Sequence, residues 1–429
     1  MISALLALGA IGLAGLLFIH PRRGFFALFL VRPLIELSRA FPDVTLWGVS
    51  LVQLAGVGIP MLLMLILVTR ARTNMRLPLP VLGVVIAFTI PVAWSGAGGL
   101  ELWLRLVSPL PLLLFPQLID VDADTGLRWA RAVFNSIPFV LLTTIVGWAM
   151  PLIVPAAVAV GGESVERLGG VFGVPTMTGY WLSIFVVLCA YLWWTDKRPG
   201  CRAVYVIAGL LLLVPLYATF SRTAWAGCIV AITIWLGFRG NWRGVAGVLA
   251  VGCMIMLSVA GVRDRLFAPN WGGTGRTALW IPGFRMYFDA SPGEQLFGVG
   301  WGNVYDRVRQ YVAGDFALEG TGITENTFLF LLFGGGLVAL IAYVVLCYWS
   351  ARGVWHVIQR ATPGSERDFA LFVLAMFAMM LVQGMTGDQI LSPVLVWYFY
   401  AFLGVALALP PRVAVATESP PLPLPVVSA

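Results

Sequence analysis

Long apolar segments separated by short polar connections run through the whole chain. Thirteen such segments are present, each 14 to 23 residues long, and about 20 apolar residues in a helix cross the hydrocarbon core of a membrane. The period-two alternation that marks the strands of a membrane β-barrel does not occur in them. The pattern therefore predicts an all-α polytopic membrane protein with 12 or 13 transmembrane helices. The segments are 2–19, 24–37, 47–68, 77–94, 102–118, 132–154, 177–194, 203–219, 224–238, 244–260, 327–349, 369–385 and 394–409, and the second is the weakest.

One connection is much longer than the others. Residues 261–326 form a 66-residue polar segment between two strong apolar segments, and a loop this long among short ones is usually functional. Thr277–Asp289 and Asn303–Val312 are predicted to form short amphipathic helices within it. The chain is thus divided into N-terminal helices (1–260), a large loop (261–326), C-terminal helices (327–409) and a Pro-rich tail (410–429) that is predicted to be disordered.

Basic residues are distributed unequally between successive connections. One alternating set of connections, with the tail, contains 16 Arg and Lys residues, whereas the opposite short connections contain three: Arg39, Arg167 and Arg222. Since basic residues accumulate on the cytoplasmic side, the first set is predicted to be cytoplasmic. The large loop then faces outward, and a long loop can be translocated despite the charges it carries.

Composition narrows the class of protein further. Hydrophobic residues make up 60% of the chain and charged residues 11%, which excludes a soluble enzyme. The net charge of +7 does not indicate nucleic-acid binding, because basic connections commonly set membrane topology. Of 27 basic residues only Lys197 is a lysine. A GC-rich genome explains this bias most simply, and the bidentate binding of phosphate by arginine is the functional alternative.

Several outward-facing charges lie at the ends of apolar segments, namely Arg167, Arg222, Arg276 and Glu325. An ionisable group at membrane depth is costly unless it is paired or hydrated, although a single arginine can also extend to the lipid headgroups. As a set, they predict one polar site. Clustered arginines bind a diphosphate and stabilise its departure, and a nearby carboxylate can accept a proton from a hydroxyl. This chemistry suits glycosyl transfer from a lipid-diphosphate donor.

Other candidate groups are less suitable. The two histidines, His20 and His356, lie in predicted cytoplasmic connections and are excluded as the base. The Asp-x-Asp pattern at 120–124 has Arg131 where a calcium loop requires glutamate, so it is interpreted as a solvated connection. No metal and no cofactor are predicted.

Four stretches, in order, resemble the O-antigen ligase and polymerase family of bacterial inner-membrane glycosyltransferases. The resemblance runs from about residue 160 to 350, and the four stretches lie on the outer side in the predicted topology. The stretches are Arg167 with Gly170, Phe172 and Pro175; Ser221-Arg222; Gly275-Arg276 with Trp280 and then Leu296-Phe297-Gly298-Val299-Gly300; and Glu325-Asn326-Thr327-Phe328-Leu329, followed by Gly334-Gly335-Gly336.

The resemblance implies transfer of a glycan from undecaprenyl diphosphate to an acceptor hydroxyl, without metal or nucleotide sugar, at the periplasmic face. It also implies the lipid-linked glycan, membrane lipid and a chain-length regulator protein as partners, and no nucleic acid. Ligases typically have histidine where this chain has Glu325, which favours a polymerase of O-antigen or exopolysaccharide repeat units. We expect Glu325, Arg222 and Arg276 to be catalytic, and Arg167, Arg285 and Asn326 to bind substrate.

Three alternatives remain open. An O-antigen ligase would transfer the glycan to the lipid A-core. A polysaccharide transporter or flippase would bind its substrate near the membrane midplane, between related halves of the chain, but no internal repeat is visible in the sequence. A different class of membrane glycosyltransferase would use an acidic motif in its first outward loop, where this chain offers only Asp43, with Glu36 before it.

Overall fold

A computed structural model of the chain confirms the predicted all-α class and shows helix in each of the thirteen apolar segments. It describes residues 2–41, 45–46, 49–70, 77–119, 121–122, 124–150, 157–160, 163–258, 276–311, 325–361 and 364–409. The predicted disordered tail lies outside the described residues, as do parts of the large loop at 261–275 and 312–324.

Eighteen α-helices occur in the described ranges. Two of the apolar segments, 102–118 and 132–154, are each divided between two helices. Two antiparallel hairpins are the only strands there, Thr45–Leu46 with Val49–Ser50 and Ala157–Val160 with Glu163–Glu166. Short 3-10 helices span Ser38–Ala40, Ile90–Trp94, Phe115–Leu118, Gly170–Phe172 and Gln389–Leu391. The helices are α1 (Ile2–Ile19), α2 (Pro21–Leu37), α3 (Leu51–Arg70), α4 (Leu79–Thr89), α5 (Gly96–Val107), α6 (Leu110–Leu114), α7 (Thr125–Phe134), α8 (Ile137–Ala149), α9 (Pro175–Thr195), α10 (Cys201–Ala218), α11 (Arg222–Phe238), α12 (Trp242–Ser258), α13 (Arg276–Asp289), α14 (Pro292–Phe297), α15 (Val304–Arg309), α16 (Thr327–Arg360), α17 (Ser365–Gly384) and α18 (Pro393–Leu407).

By length and composition, seven helical segments among the described residues can cross a membrane. Four further apolar segments are shorter, at 10 to 17 residues. The protein is therefore a multi-pass membrane protein, and the number of crossings stays a prediction of 12 or 13. The seven are Val52–Arg70, Gly98–Leu118, Thr125–Ala149, Pro175–Thr195, Cys201–Ala218, Thr327–Arg360 and Ser365–Gly384.

Helices α9, α17 and α18 form the centre of the molecule. In α9, 78% of the residues that could span a membrane are buried, compared with 17% in the neighbouring α10. Aromatic rings join the central helices, as where Tyr191 of α9 stacks on Phe372 of α17 with ring centroids 4.4 Å apart. Gln383 Nε2 also donates to Ser183 Oγ at 2.8 Å, and hydrogen bonds of this kind hold helices together in lipid. The core is thus a helix bundle, with α10 at its periphery.

Connections from the predicted cytoplasmic set meet at one end of the bundle, which we call the basic end. There, Ser365 donates to Asp124, Arg239 pairs with Asp368, and Arg131 pairs with Asp196 at 2.8 Å. The starts of α11 and α16 lie at the opposite end, called the loop end, together with the described part of the large loop. The structure therefore agrees with the alternation of connections. Which side of a membrane each end faces stays a prediction.

Asp196 is the centre of the basic end and is fully buried between α9 and α10. It accepts hydrogen bonds from Arg131 Nη2 at 2.8 Å, Arg198 Nη2 at 2.7 Å and the Tyr205 hydroxyl at 2.5 Å. Burial alone would raise the pKa of this carboxyl. The hydrogen bonds from Arg198, Arg131 and Tyr205 outweigh burial and hold the pKa well below its usual range. Asp196 thus links α7, α9 and α10 through hydrogen bonds to its carboxylate.

Candidate functional site

Helix α11 begins at Arg222, one of the predicted catalytic residues, which is half-buried at the loop end. Ser221 precedes it in an extended conformation and ends the short turn from α10. The neighbouring Thr223 accepts a hydrogen bond from Thr386 Oγ1 at 2.7 Å, and Thr386 also contacts the Tyr180 hydroxyl at 3.2 Å. The start of α11 is therefore fixed against the connection that follows α17.

Glu325, the predicted base, directly precedes the N-cap of α16 and is half-buried. Asn326 is that N-cap, and its Oδ1 accepts from the backbone N–H groups of Phe328 at 2.9 Å and Leu329 at 3.2 Å. Such a cap satisfies backbone donors that a helix leaves free at its start. The Asn326 backbone N–H donates to Asp388 Oδ1 at 2.9 Å, which fixes the chain directly after Glu325.

Residues 385–388 connect these two helix starts. The Asn326 Nδ2 donates to the Met385 carbonyl, and the Thr327 hydroxyl to the Gly387 carbonyl, both at 2.9 Å. Thr386, between them, bonds Thr223. This four-residue bridge thus lies between the start of α16 and the start of α11. It links the chain next to Glu325 to the chain next to Arg222, and the convergence of these two side chains on one substrate stays a prediction.

Asp388 is a member of this site that the sequence analysis did not identify. Its side chain is buried, being 8% exposed, and accepts from Asn326. Its negative charge also acts on Tyr305 of α15: burial first, and then Asp388, raise the pKa of that hydroxyl to about 12. A helix of the large loop therefore lies close to Asp388. The sequence signal for Asp388 is that it is a single carboxylate in a short connection between two apolar segments, on the side predicted to face outward.

Arg167 lies beside the same turn. Its Nε donates to the Thr219 carbonyl at 2.9 Å, and the Leu168 N–H donates to the Ala218 carbonyl at 2.9 Å. Thr219 is three residues before Arg222, so Arg167 contacts the turn that leads to Arg222, and the convergence of the two arginines on one diphosphate stays a prediction.

Two residues of the site have an unfavourable backbone conformation. Among the described residues other than glycine, only Phe220 (φ 48°) and Glu325 (φ 38°) have positive φ angles. This conformation costs roughly 1–2 kcal/mol in a residue with a side chain, and such strain clusters at functional sites. One strained residue lies two positions before Arg222 and the other is the predicted base. The surrounding contacts therefore hold both segments in a geometry that the chain alone would avoid.

Helix α13 carries the remaining two predicted arginines. It begins at Arg276, whose side chain lies outside the described part of the structure, so its place in the site stays a prediction. Arg285 is exposed on the same helix. The helix itself packs on α16, with the rings of Phe284 and Phe333 perpendicular at 5.8 Å. The structure thus places α13 against the start of α16, and the contact of Arg285 with substrate also stays a prediction.

The Phe-Gly-x-Gly element of the loop binds directly to the glycine triplet in α16. That helix is interrupted at Gly336 (φ 71°, ψ −173°). The Val299 N–H donates to the Phe333 carbonyl and the Gly300 N–H to the Gly334 carbonyl, both at 3.0 Å. A Cβ on Gly298 would lie 2.1 Å from the Gly334 oxygen, so only glycine fits. The loop is therefore anchored to the helix that follows it.

A hollow of about 670 Å³ lies between this anchor and the loop helices, and Trp94, Glu294, Asn303 and Arg307 line it. Glu294 pairs with Arg307 at 2.5 Å, and the Ser291 backbone N–H together with Arg307 lowers the pKa of the Glu294 carboxyl. The mixture of an aromatic ring, an amide and paired charges offers hydrogen bonds to a polar ligand. Helix α14, which carries Glu294, was not predicted from the sequence.

Residues 207–344 match the family model for the O-antigen ligase. The matched range starts in α10, contains Arg222, the large loop and Glu325, and ends beyond the Gly336 break in α16. No curated protein matches the chain significantly. Within the described residues, no three histidine, cysteine or acidic side chains lie close enough together to hold a metal ion. The match confirms the predicted resemblance: residues 207–344 of this multi-pass membrane protein are similar to the O-antigen ligase family.

Proposed function

We propose that the protein polymerises undecaprenyl-diphosphate-linked oligosaccharide repeat units at the periplasmic face of a bacterial inner membrane. The observation that carries the proposal is the bridge of residues 385–388, which joins the chain at Glu325 to the chain at Arg222. A base and a diphosphate-binding cation are the two groups that this reaction needs close together.

The reaction is a single displacement. A hydroxyl of the acceptor glycan attacks the anomeric carbon of the donor from the side opposite the diphosphate, and the carbon–oxygen bond to the diphosphate breaks. The proton of that hydroxyl passes to the Glu325 carboxylate. Arg222 and Arg276 stabilise the negative charge on the departing undecaprenyl diphosphate, and Arg167 and Arg285 bind the donor. The new glycosidic bond has the inverted configuration.

Asn326 contributes mainly by position. Its Oδ1 caps α16 and its Nδ2 bonds the Met385 carbonyl, so both polar groups of its amide already have partners within the protein. Asp388 accepts a hydrogen bond from the Asn326 backbone N–H and so fixes the backbone at that residue. Both residues therefore orient Glu325. Glu325 accepts the proton of the attacking hydroxyl, because a sugar hydroxyl is a weak nucleophile without a base. A positioned base accelerates such a reaction by roughly 10²–10⁴.

Glutamate at position 325 favours the polymerase over the ligase, since the ligases of the family typically have histidine there. Purified protein in detergent, supplied with lipid-linked repeat units, should produce longer lipid-linked chains, also in the presence of a metal chelator. A strain without the gene should accumulate single lipid-linked repeat units. Accumulation of long, unattached lipid-linked chains would instead show a ligase that transfers them to lipid A-core.

The orientation of the site is tested separately by reporter fusions. The distribution of arginines places the large loop in the periplasm and the C-terminal tail in the cytoplasm. Fusions after Gly314 and after Pro411 should therefore report opposite sides of the membrane. A cytoplasmic signal from the Gly314 fusion would contradict a periplasmic active site.

A further inference from the structure

A second hollow, of about 700 Å³, lies at the basic end between the ends of α9 and α11 and the starts of α10 and α17. We call it the basic hollow and define it by Lys197, Arg202, Arg239 and Arg367, which all line it. The lining also includes one acidic residue, Asp368, which pairs with Arg239. Three of the four cations therefore contribute an uncompensated positive charge.

The other three cations, Lys197, Arg202 and Arg367, make no ion pair among the described residues. The adjacent Arg198, by contrast, is bound to Asp196. Thr195 also lines the hollow, and its hydroxyl oxygen is buried without a hydrogen-bond partner in the described structure. The lining is thus suited to an anion with several oxygen atoms.

The surroundings of the hollow are apolar, which indicates a lipid. Trp193 and Phe238 line it and are 44% and 46% exposed, and aromatic residues are common at the membrane interface. Helix α10 continues away from the hollow with Val206, Leu210 and Leu213 exposed. Spacings of four, eight and eleven residues put these side chains on the same helix face as Arg202. An acyl chain can lie along this stripe while its headgroup lies among the cations.

We propose that the basic hollow is a binding site for the headgroup of an anionic phospholipid, with the acyl chains packed along the exposed face of α10. The site lies at the opposite end of the bundle from Glu325 and does not depend on the proposed glycosyl transfer. Its chemistry is that of basic pockets between transmembrane helices, which bind anionic headgroups.

The proposal is tested on the purified full-length protein by native mass spectrometry with phosphatidylglycerol and phosphatidylcholine of identical acyl chains. Phosphatidylglycerol should be retained in preference to phosphatidylcholine. Each cation removed, by Lys197→Gln or Arg202→Gln, should weaken retention of phosphatidylglycerol about fivefold. Arg202→Lys keeps the charge and should retain most of the binding.

Arg243→Gln is the matched control, because Arg243 is exposed at the same end of the bundle but does not line the hollow. Retention by this variant should equal that of the wild type. Equal losses in Arg243→Gln and Arg202→Gln would overturn the proposal, as would equal retention of the two lipids. Excess inorganic phosphate distinguishes the remaining alternative: displacement of phosphatidylglycerol by phosphate alone would show a site for free phosphate, without a role for the α10 stripe.

Discussion

The two ends of the bundle hold their charged residues in different ways. At the basic end, carboxylates and cations pair with one another, and buried Asp196 is bound by two arginines and a tyrosine. At the loop end, Arg167 and Asn326 donate to main-chain carbonyls, and the backbone at Glu325 is strained. Ion pairs neutralise charge in the native state, whereas hydrogen bonds to main-chain carbonyls orient a side chain. The first arrangement serves stability, and the second orients the side chains of the proposed site.

The largest effect is expected from Glu325→Gln. The substitution preserves the shape of the side chain but cannot accept the proton, so polymer formation should fall about 10²–10⁴-fold while lipid-linked glycan still binds. The amount of polymer formed by purified protein measures the reaction, and retention of the lipid-linked glycan measures binding. Asp289→Asn is the matched control, since Asp289 is an exposed carboxylate in the same loop and should tolerate the change. Near-normal polymer from Glu325→Gln would place the base elsewhere.

At the basic end, Asp196→Asn should destabilise the protein by about 1.5–3 kcal/mol, because it weakens the charge-assisted hydrogen bonds from Arg131 and Arg198, whose own side chains are partly exposed. The specific activity of the remaining folded protein should be unchanged. A thermal unfolding assay in detergent measures the loss of stability. Asp306→Asn, on the exposed surface of α15, is the control and should change the stability by less than about 0.5 kcal/mol.

The pH dependence of the same contact has a definite sign. The pKa of Asp196 is lowered in the folded protein, so its stabilising effect is complete above the ordinary carboxyl pKa of about 3.9. It is lost only as the pH falls through the lowered value. The stability difference between the wild type and Asp196→Asn should therefore be constant from neutral pH to about pH 5. A difference that already shrinks near neutrality would contradict the assigned hydrogen bonds.

A smaller effect is expected from Arg222→Lys. Lysine keeps the positive charge but loses the bidentate geometry, so polymer formation should fall about 10- to 100-fold without loss of protein. The same exchange at Arg243, at the basic end, should leave activity unchanged. Wild-type polymer from Arg222→Lys would show that Arg222 contributes only its charge.

The smallest effect tests the strain at the loop end. Glycine accepts a positive φ angle without steric cost, so Glu325→Gly should raise stability by up to about 1 kcal/mol while abolishing polymer formation. Glu294→Gly should lower stability, because Glu294 is in the capping box of α14. A loss of stability in both variants would indicate that the contacts of Glu325 outweigh its strain.

The sequence predicted the helices, because hydropathy is a local property, and the convergence of Arg222 and Glu325 stays a prediction. It did not predict which helices are central. Helices α9 and α10 are both strongly apolar, yet one is largely buried and the other largely exposed. Burial depends on partners far away in the chain, such as Gln383 for Ser183. The role of Asp388 was missed for the same reason, since its partner Asn326 is 62 residues away.

The break in α16 has a consequence for how the protein is made. Phe297-Gly298-Val299-Gly300 leaves the ribosome before the carbonyl groups of Phe333 and Gly334 to which it binds. In the predicted topology, the large loop crosses the membrane before the next helix is inserted, and it can dock only after that helix is in place. Insertion of α16 and docking of the loop form one assembly step. A chain that stops before Phe333 would carry all the loop residues, yet would lack the acceptors that anchor them.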